Sequence, residues 1–190
     1  MGKQLTELII SYEYFYHKIK LYQHLNKEKL KHLQFDYIKG SFSLNNFSGF
    51  VGLQVLIINE IHNKHTILSM NYLEYQYNHQ HNFPHQLNDE TMLMLMKGCP
   101  NMKVFEYDSF GEQYKVTNYS MQQIDKLWPN LTRLTLKHFT QITSKTMYSI
   151  ANLEKLSYLF LSNADIDDDG IIRVLVSCKQ LSYFSFHLNY

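Results

Sequence analysis

The sequence has little cysteine, almost no excess of charge and no long apolar run, and each of these absences excludes a class of protein. Two cysteines in 190 residues cannot form a disulfide scaffold, so we expect a reducing compartment and thiols that pack as small core side chains. The formal net charge is +1, from 18 Lys+Arg against 17 Asp+Glu. This balance removes the electrostatic argument for nucleic acid as a partner.

Targeting and membrane signals are also missing. No segment reaches the roughly 18 consecutive apolar residues that a membrane helix needs, so we expect no membrane span. Residues 1–20 contain Glu7 and Glu13 but no arginine, unlike a typical mitochondrial presequence, and they lack the apolar stretch of a signal peptide. Because a signal peptide is missing, we expect an intracellular location. Internal import signals stay open, so this location is either cytoplasmic or mitochondrial.

The motifs that mark common enzyme active sites do not occur either. The sequence contains no GxSxG, no phosphate-binding glycine loop and no HExxH, and no Cys/His pair is recognisable by its spacing. We therefore predict a protein that is not an enzyme and that needs no cofactor and no metal. Catalytic groups dispersed along the chain remain the alternative.

Apolar and aromatic side chains are what the sequence has in quantity. Hydrophobic residues make up 45% of the chain, with 15 Tyr, 12 Phe and one Trp, whereas charged residues make up 18%. This composition supplies a sizeable core and differs from that of a disordered chain. The length fits one domain, which we assign to residues 1–190.

A short phrase with apolar residues at its positions 1, 4 and 6 recurs along the chain. Its clear copies are Leu5-Leu8-Ile10, Leu30-Leu33-Phe35, Leu53-Leu56-Ile58, Leu131-Leu134-Leu136, Leu156-Leu159-Leu161 and Leu181-Phe184-Phe186. A looser copy is Met102-Phe105-Tyr107, and a doubtful one is Tyr72-Tyr75-Tyr77. The last three copies start 25 residues apart, at 131, 156 and 181, whereas the region 59–86 is irregular and predicts an aberrant repeat or an insertion.

Each phrase has the alternation of a strand, and apolar residues at helical spacing follow it, such as Met121, Ile124 and Leu127. A strand and a helix in each repeat cannot form a closed globule alone, but stacked repeats can bury a continuous core. We therefore predict an α/β solenoid of seven or eight units, with a parallel inner sheet and outer helices.

The most regular copy carries a resemblance to a known family. It spans residues 156–181 and includes Asn163 and Cys178, and weaker matches lie at 140–147 and 89–102. The chain resembles leucine-rich-repeat proteins of the cysteine-containing kind found in F-box/LRR proteins, although no recognisable F-box precedes the repeats. The resemblance implies a horseshoe-shaped solenoid that presents a binding surface. Small proteins with similar repeats also serve as accessory factors of mitochondrial respiratory assemblies.

The repeat phase predicts roles for the cysteines and for one asparagine. Cys99 and Cys178 each precede the first apolar position of a phrase by three residues, which favours burial at a helix end over redox or metal chemistry. Asn163 is expected to bond the turn backbone after its strand, but the equivalent positions elsewhere are Asp108, Phe139 and Asn189, so we expect an incomplete asparagine ladder.

Residues 165–176 imitate the start of a calcium-binding loop. Asp165, Asp167, Asp169 and Gly170 have the required spacing, but Val176 stands where the bidentate glutamate belongs. Because the segment falls where a repeat turns into its helix, we favour acidic residues that cap the helix N-terminus.

Two further motifs have a functional and a structural interpretation. A histidine-rich stretch could hold zinc or copper, but its irregular spacing favours a polar surface loop. Its members are His62, His65, His79, His81 and His85. Residues 1–6 match the N-myristoylation pattern, and modification of Gly2 stays open.

Parallel-sheet geometry predicts which side chains line the concave face. Positions 2, 3 and 5 of each phrase are predicted to point away from the core, and neighbouring rungs lie about 4.8 Å apart. The third-position ladder is Glu7, His32, Val55, Glu74, Val104, Arg133, Tyr158 and Tyr183, and the fifth-position ladder is Ile9, Gln34, Ile57, Gln76, Glu106, Thr135, Phe160 and Ser185.

Four of these side chains should form one cation–aromatic patch, defined as Arg133, Tyr158, Phe160 and Tyr183. Arg and Tyr are the residue types that anchor protein interfaces, so we predict that the patch binds a protein partner. The alternative is a set of stacked aromatic rings that only stabilises the sheet.

The ends of the solenoid also point to partners. The first phrase begins at Leu5 and the last ends at Phe186, so we expect either a piece of a longer protein or neighbours that cover uncapped ends. We predict a non-enzymatic protein-interaction module, an accessory or structural subunit of a larger assembly such as a mitochondrial respiratory complex. The alternative is the substrate-recognition part of an F-box-type ubiquitin-ligase adaptor.

Overall fold

The computed structural model describes residues 5–11, 26–38, 49–62, 87–110 and 115–187. Its strands are β1 (Glu7–Ser11), β2 (His32–Ile38), β3 (Val55–His62), β4 (Val104–Phe110), β5 (Arg133–Leu136), β6 (Tyr158–Ser162) and β7 (Tyr183–His187). Its helices are α1 (Asp89–Gly98), α2 (Asn118–Met121), α3 (Ile124–Leu127), α4 (Ser144–Ile150) and α5 (Asp168–Ser177).

All seven strands form one sheet in which sequence order and spatial order are identical. Each strand pairs in parallel with the next, from β1 to β7. Parallel neighbours need a crossover between them, and α1–α5 lie in the connections from β3 to β7. The chain therefore folds as an α/β leucine-rich-repeat solenoid, and the predicted fold class is confirmed.

The strand register follows the predicted third-position ladder. His32 pairs with Val55, Val55 with Val104, and Arg133 with Tyr158. Because β3 pairs directly with β4, no strand lies between them, and the sheet formed by the described residues has seven rungs. The doubtful phrase at 72–77, with Glu74 and Gln76, lies outside the described residues.

The core lies between the sheet and the helices, where positions 1, 4 and 6 of each phrase point. Leu131, Leu134 and Leu136 are completely buried, as are Met92 and Ile150 from the helices. A helical repeat and a strand repeat thus bury one shared apolar layer.

Trp128 is a buried side chain that packs between α3 and the sheet. Its ring centroid lies 5.0 Å from that of Phe105, and its indole N–H donates to the carbonyl oxygen of Cys99 at 2.9 Å. A buried tryptophan needs a hydrogen-bond acceptor for its indole N–H. The ring of Trp128 therefore fills the core, and the Cys99 carbonyl satisfies its N–H.

Helix starts follow the sequence signals for capping. Asn88 accepts a hydrogen bond from the backbone N–H of Thr91, and the Thr91 hydroxyl accepts one from the N–H of Asn88. Thr117 and Thr143 cap α2 and α4 through their side-chain oxygens. These caps satisfy donors that the first helical turn leaves free.

Asp89 joins two neighbouring repeats. Its carboxylate accepts hydrogen bonds from the backbone N–H of Thr117 at 2.8 Å and from the Thr117 hydroxyl at 2.7 Å. It also accepts from the hydroxyl of Ser120, which is completely buried. The start of α1 is thereby fixed to the start of α2.

The predicted turn role of Asn163 needs a correction. Its structural equivalent one repeat earlier is His138, not Phe139, since both His138 and Asn163 have positive φ angles of 68° and 65°. The Asn163 amide nitrogen lies 2.9 Å from Nδ1 of His138, so the side chain contacts the neighbouring repeat. Phe139 is instead a core residue with 1% exposure.

Candidate functional site

Three members of the cation–aromatic patch form one continuous stack across β5, β6 and β7. The guanidinium carbon of Arg133 lies 3.9 Å from the ring centroid of Tyr158. The rings of Tyr158 and Tyr183 are stacked with centroids 4.2 Å apart and planes 5° apart. Because these residues are directly paired in register, the parallel sheet itself sets the stacking distance.

Glu106 on β4 extends the stack by an ion pair. Its Oε1 lies 3.2 Å from a terminal nitrogen of Arg133, and the Arg133 side chain is 44% exposed. The carboxylate fixes the guanidinium over Tyr158 and offsets its charge. An exposed pair of this kind contributes little free energy, so its main effect is orientation.

Phe160 is a fifth-position residue on the same side of the sheet, the predicted concave face, which we call the open face. It lies between two nitrogen-bearing side chains. The ammonium of Lys137 is 5.9 Å from its ring centroid, and the imidazole of His187 is 5.3 Å from it. The Ser185 hydroxyl lies 3.1 Å from Nε2 of His187. The strands β5–β7 carry no acidic residue, so this part of the face combines aromatic rings with cationic groups.

A shallow cavity of about 300 Å³ opens on this face. It is lined by Glu106, Tyr107, Thr135, Lys137, Tyr158, Phe160 and Tyr183. Three of the four predicted patch residues line the cavity, and the fourth, Arg133, contacts the lining residue Tyr158. The cavity is a recess in an interaction surface, because a drug-sized site is normally a deeper and more enclosed cleft.

Sequence reasoning assigned the rungs but left Lys137 and His187 out of the patch. Both residues stand at position 7 of their phrase, two residues after a fifth-position rung, and therefore point to the same face. Extending the alternation by one step would have found them. Glu106 and Thr135 were on the predicted ladder without an assigned role.

The environment of Tyr158 keeps its phenol protonated. Burial raises the pKa of Tyr158 above its usual value of 10, and the hydrogen bond and charge of Tyr183 raise it further. The positive charge of Arg133 opposes this increase. Tyr158 therefore presents a neutral hydroxyl group, which can both donate and accept hydrogen bonds.

The two cysteines occupy the helix ends that the repeat phase predicts. Cys99 and Cys178 are the C-caps of α1 and α5, and they are 0% and 2% exposed. Burial raises the pKa of Cys99 to about 12 and also raises that of Cys178. Protonated buried thiols are poor nucleophiles and poor metal ligands, so the predicted core role is confirmed.

The acidic segment near 167 caps a helix, as expected. The carboxylate of Asp167 accepts a hydrogen bond from the backbone N–H of Gly170 at 2.9 Å. Hydrogen bonding with Ser144 and Gly170 lowers the pKa of Asp167. Its carboxylate thus has partners that fit the start of α5.

The remaining motifs fall largely outside the described residues. His65, His79, His81 and His85 lie there, as does Gly2. Within the described ranges, no group of three His, Cys, Asp or Glu side chains is arranged to hold a metal ion. Among the helices of these ranges, none combines the length and apolar character needed to cross a bilayer.

No protein-family model matches the chain, and no curated protein matches its sequence. Among solved structures, the chain is similar to an internalin from Listeria monocytogenes str. 4b F2365, with 13% identity and a TM-score of 0.34. The match covers 86% of this chain and 55% of that one, so the chain spans about half of that structure's length.

Proposed function

We propose that the chain is a non-enzymatic protein-interaction module that binds a partner through the cation–aromatic patch. The observation that carries the proposal is the continuous stack of Arg133, Tyr158 and Tyr183. The stack places planar groups on a rigid sheet, so binding costs little side-chain entropy there. Tyr and Arg in such a position are the residues that most often dominate interface energies.

The chemistry around the patch indicates the partner segment that would fit. Phe160 offers an apolar surface at the recess, while Lys137 and His187 flank it. A segment that brings an apolar side chain onto Phe160 and an acidic group beside Lys137 would complement both. Electrostatic complementarity of this kind selects partners and orients them.

The wider role that we propose is that of an accessory or structural subunit in a larger intracellular assembly. We treat residues 1–190 as one repeat domain with an irregularity near 59–86, which the unbroken strand order supports. A mitochondrial respiratory complex is one setting, and the cytoplasm is the other. The proposed surface faces other protein subunits and not nucleic acid, since the net charge is only +1.

The alternative function is substrate recognition within an F-box-type ubiquitin-ligase adaptor. It is favoured by the positions of Cys99 and Cys178, which end a helix before the following strand as in the cysteine-containing repeat subtype. Recovery of the protein with Skp1 and a cullin would support this alternative over the accessory-subunit role.

The patch is tested by affinity purification of the tagged protein from its native cells. We expect stable partners with the wild type and their loss when Tyr158, Phe160 and Tyr183 are changed together to alanine. The matched control changes Ile9, Gln34 and Ile57 to alanine, because these residues stand on the same open face at fifth-position rungs. We expect this control to retain the partners.

Circular dichroism separates loss of binding from loss of folding. A triple variant that keeps its secondary structure and still recovers every partner at wild-type yield would overturn the proposed surface. Equal loss of partners in both variants would overturn it as well, since binding would then not depend on the patch.

A further inference from the structure

The last described repeat, formed by α5 and β7, exposes a second apolar surface that is separate from the cation–aromatic patch. On α5, Ile172, Leu175 and Val176 are 55%, 52% and 59% exposed. On and before β7, the core-facing residues Leu181, Phe184 and Phe186 are only partly buried. We call these six residues the end face.

The preceding repeat explains why the end face is exposed. Leu156, Leu159 and Leu161 occupy the same phrase positions one repeat earlier and are 0–1% exposed, because β7 and α5 cover them. Leu175 corresponds in the same way to Ala151, since each is the eighth residue after its N-cap, and Ala151 is 6% exposed. The end face is thus the surface on which another layer of strand and helix would pack.

The edge of β7 is open to pairing within the described residues. β7 pairs with β6 on one side and with no described strand on the other. Natural sheets protect exposed edges with lysine, proline or bulges, and residues 183–187 contain no lysine and no proline. This edge is therefore suited to hydrogen bonding with another strand.

Charges on α5 indicate what covers the end face. Asp168 precedes Ile172 by four residues, and Lys179 follows Leu175 by four residues. A two-fold rotation that places Ile172 opposite Leu175 of the partner subunit therefore also places Asp168 opposite Lys179 of the partner subunit. The surface is therefore complementary to itself in its apolar and charged positions, as an isologous interface requires.

We propose that the end face binds the end face of a second copy of the chain around a two-fold axis. In this pair, α5 packs antiparallel to α5 of the partner subunit, and β7 pairs antiparallel with β7 of the partner subunit. The pair buries the apolar stripe of α5 and satisfies the free backbone groups of β7. A two-fold pair is a closed dimer to which no third copy can add at this surface, whereas head-to-tail stacking of solenoids would grow into a filament.

The first experiment measures the mass of the full chain in solution by light scattering after gel filtration, over a wide range of concentrations. We expect twice the mass of one chain for the wild type. Leu175→Glu should raise the dimer dissociation constant by more than about tenfold, because it places a charge in the apolar contact. Met94→Glu is the control, since Met94 is an exposed apolar residue on α1, and we expect it to stay dimeric.

A charge exchange tests the antiparallel arrangement itself. Asp168→Lys and Lys179→Asp should each weaken the dimer, whereas the double variant should regain much of the lost affinity. This rescue does not depend on Leu175→Glu folding correctly. Each variant is checked by circular dichroism and thermal unfolding before its mass is compared.

Three outcomes would overturn the proposal. These are a wild type that stays monomeric at all concentrations, a dimer that folded Leu175→Glu leaves intact, and a folded charge-exchange pair without rescue. The experiment is independent of the proposed partner site, because it needs no partner and changes no residue of the cation–aromatic patch.

Discussion

The first three and the last three strands present chemically different open faces on one regular backbone. Glu7, His32 and Val55 occupy the third-position rungs of β1–β3, in the same register as Arg133, Tyr158 and Tyr183 on β5–β7. In the first group, Nδ1 of His32 contacts Glu7 Oε1 at 2.8 Å, and the contact ends at the apolar Val55. In the second group, contact is continuous over three rungs.

The sheet therefore sets the spacing between rungs, and the side chains set the chemistry of the surface. A rung distance near 4.8 Å suits ring stacking, but only residues with flat groups on adjacent rungs can use it. The faces differ, whereas the core positions beneath them are the same. We therefore expect core substitutions to act alike in both halves and face substitutions to act differently.

The largest expected effect tests the shared core. Leu33→Ala in β2 and Leu134→Ala in β5 change fourth-position residues that are both 0% exposed. We expect each to lower the free energy of unfolding by about 2–5 kcal/mol, because each leaves a cavity under the sheet. Urea denaturation followed by circular dichroism measures the loss.

Fluorescence of Trp128, the single tryptophan, reports on the C-terminal half in the same experiment. A loss below about 1 kcal/mol for Leu33→Ala alone would contradict the comparison, since the two halves would then not share one kind of core.

The second prediction concerns the contact between α1 and α2. Asp89→Ala removes the acceptor for Thr117 and leaves the Ser120 hydroxyl buried without it, so we expect a loss of about 1–3 kcal/mol at neutral pH. Asp125→Ala is the control, because the hydrogen bonds that Asp125 accepts, from Asn152 and from the backbone N–H of Lys126, are both exposed, and we expect a loss of about 0.5–1 kcal/mol.

The effect of Asp89 should depend on pH in a defined direction. Burial, the largest single influence, raises the pKa of Asp89, but the combined hydrogen bonds from Ser120 and Thr117 outweigh it and lower the pKa below 3.8. The stabilisation is therefore complete above pH 3.8 and is lost as pH falls through the lowered pKa. A difference between wild type and Asp89→Ala that stays constant down to pH 2 would contradict this cause.

The smallest expected effect sharpens the contrast between the open faces. Tyr158→Ala interrupts the stack on both sides, so we expect a loss of about 1–2 kcal/mol from ring stacking and the cation–π contact. His32→Ala removes a partly exposed pair with Glu7, and we expect a loss below about 1 kcal/mol. The two free energies are compared by urea denaturation, and equal losses would show that the continuous stack adds nothing to stability.

The solenoid and the order of its rungs follow from the repeat pattern of the sequence. The 1, 4, 6 phrase repeats because each strand must bury one side, and this alternation also fixes which residues point outward. The register of Arg133, Tyr158 and Tyr183 follows from that alternation alone. The burial of Cys99 and Cys178 follows from the same periodicity.

The contacts between distant segments depend on the tertiary packing of the repeats. The sequence spacing around Tyr72 allowed an eighth rung, but pairing between β3 and β4 depends on backbone hydrogen bonds that no local pattern encodes. The contact of Asn163 with His138 and that of Asp89 with Thr117 join residues 25 and 28 positions apart. Such contacts depend on how one repeat rotates against the next, and this rotation is set by packing rather than by periodicity.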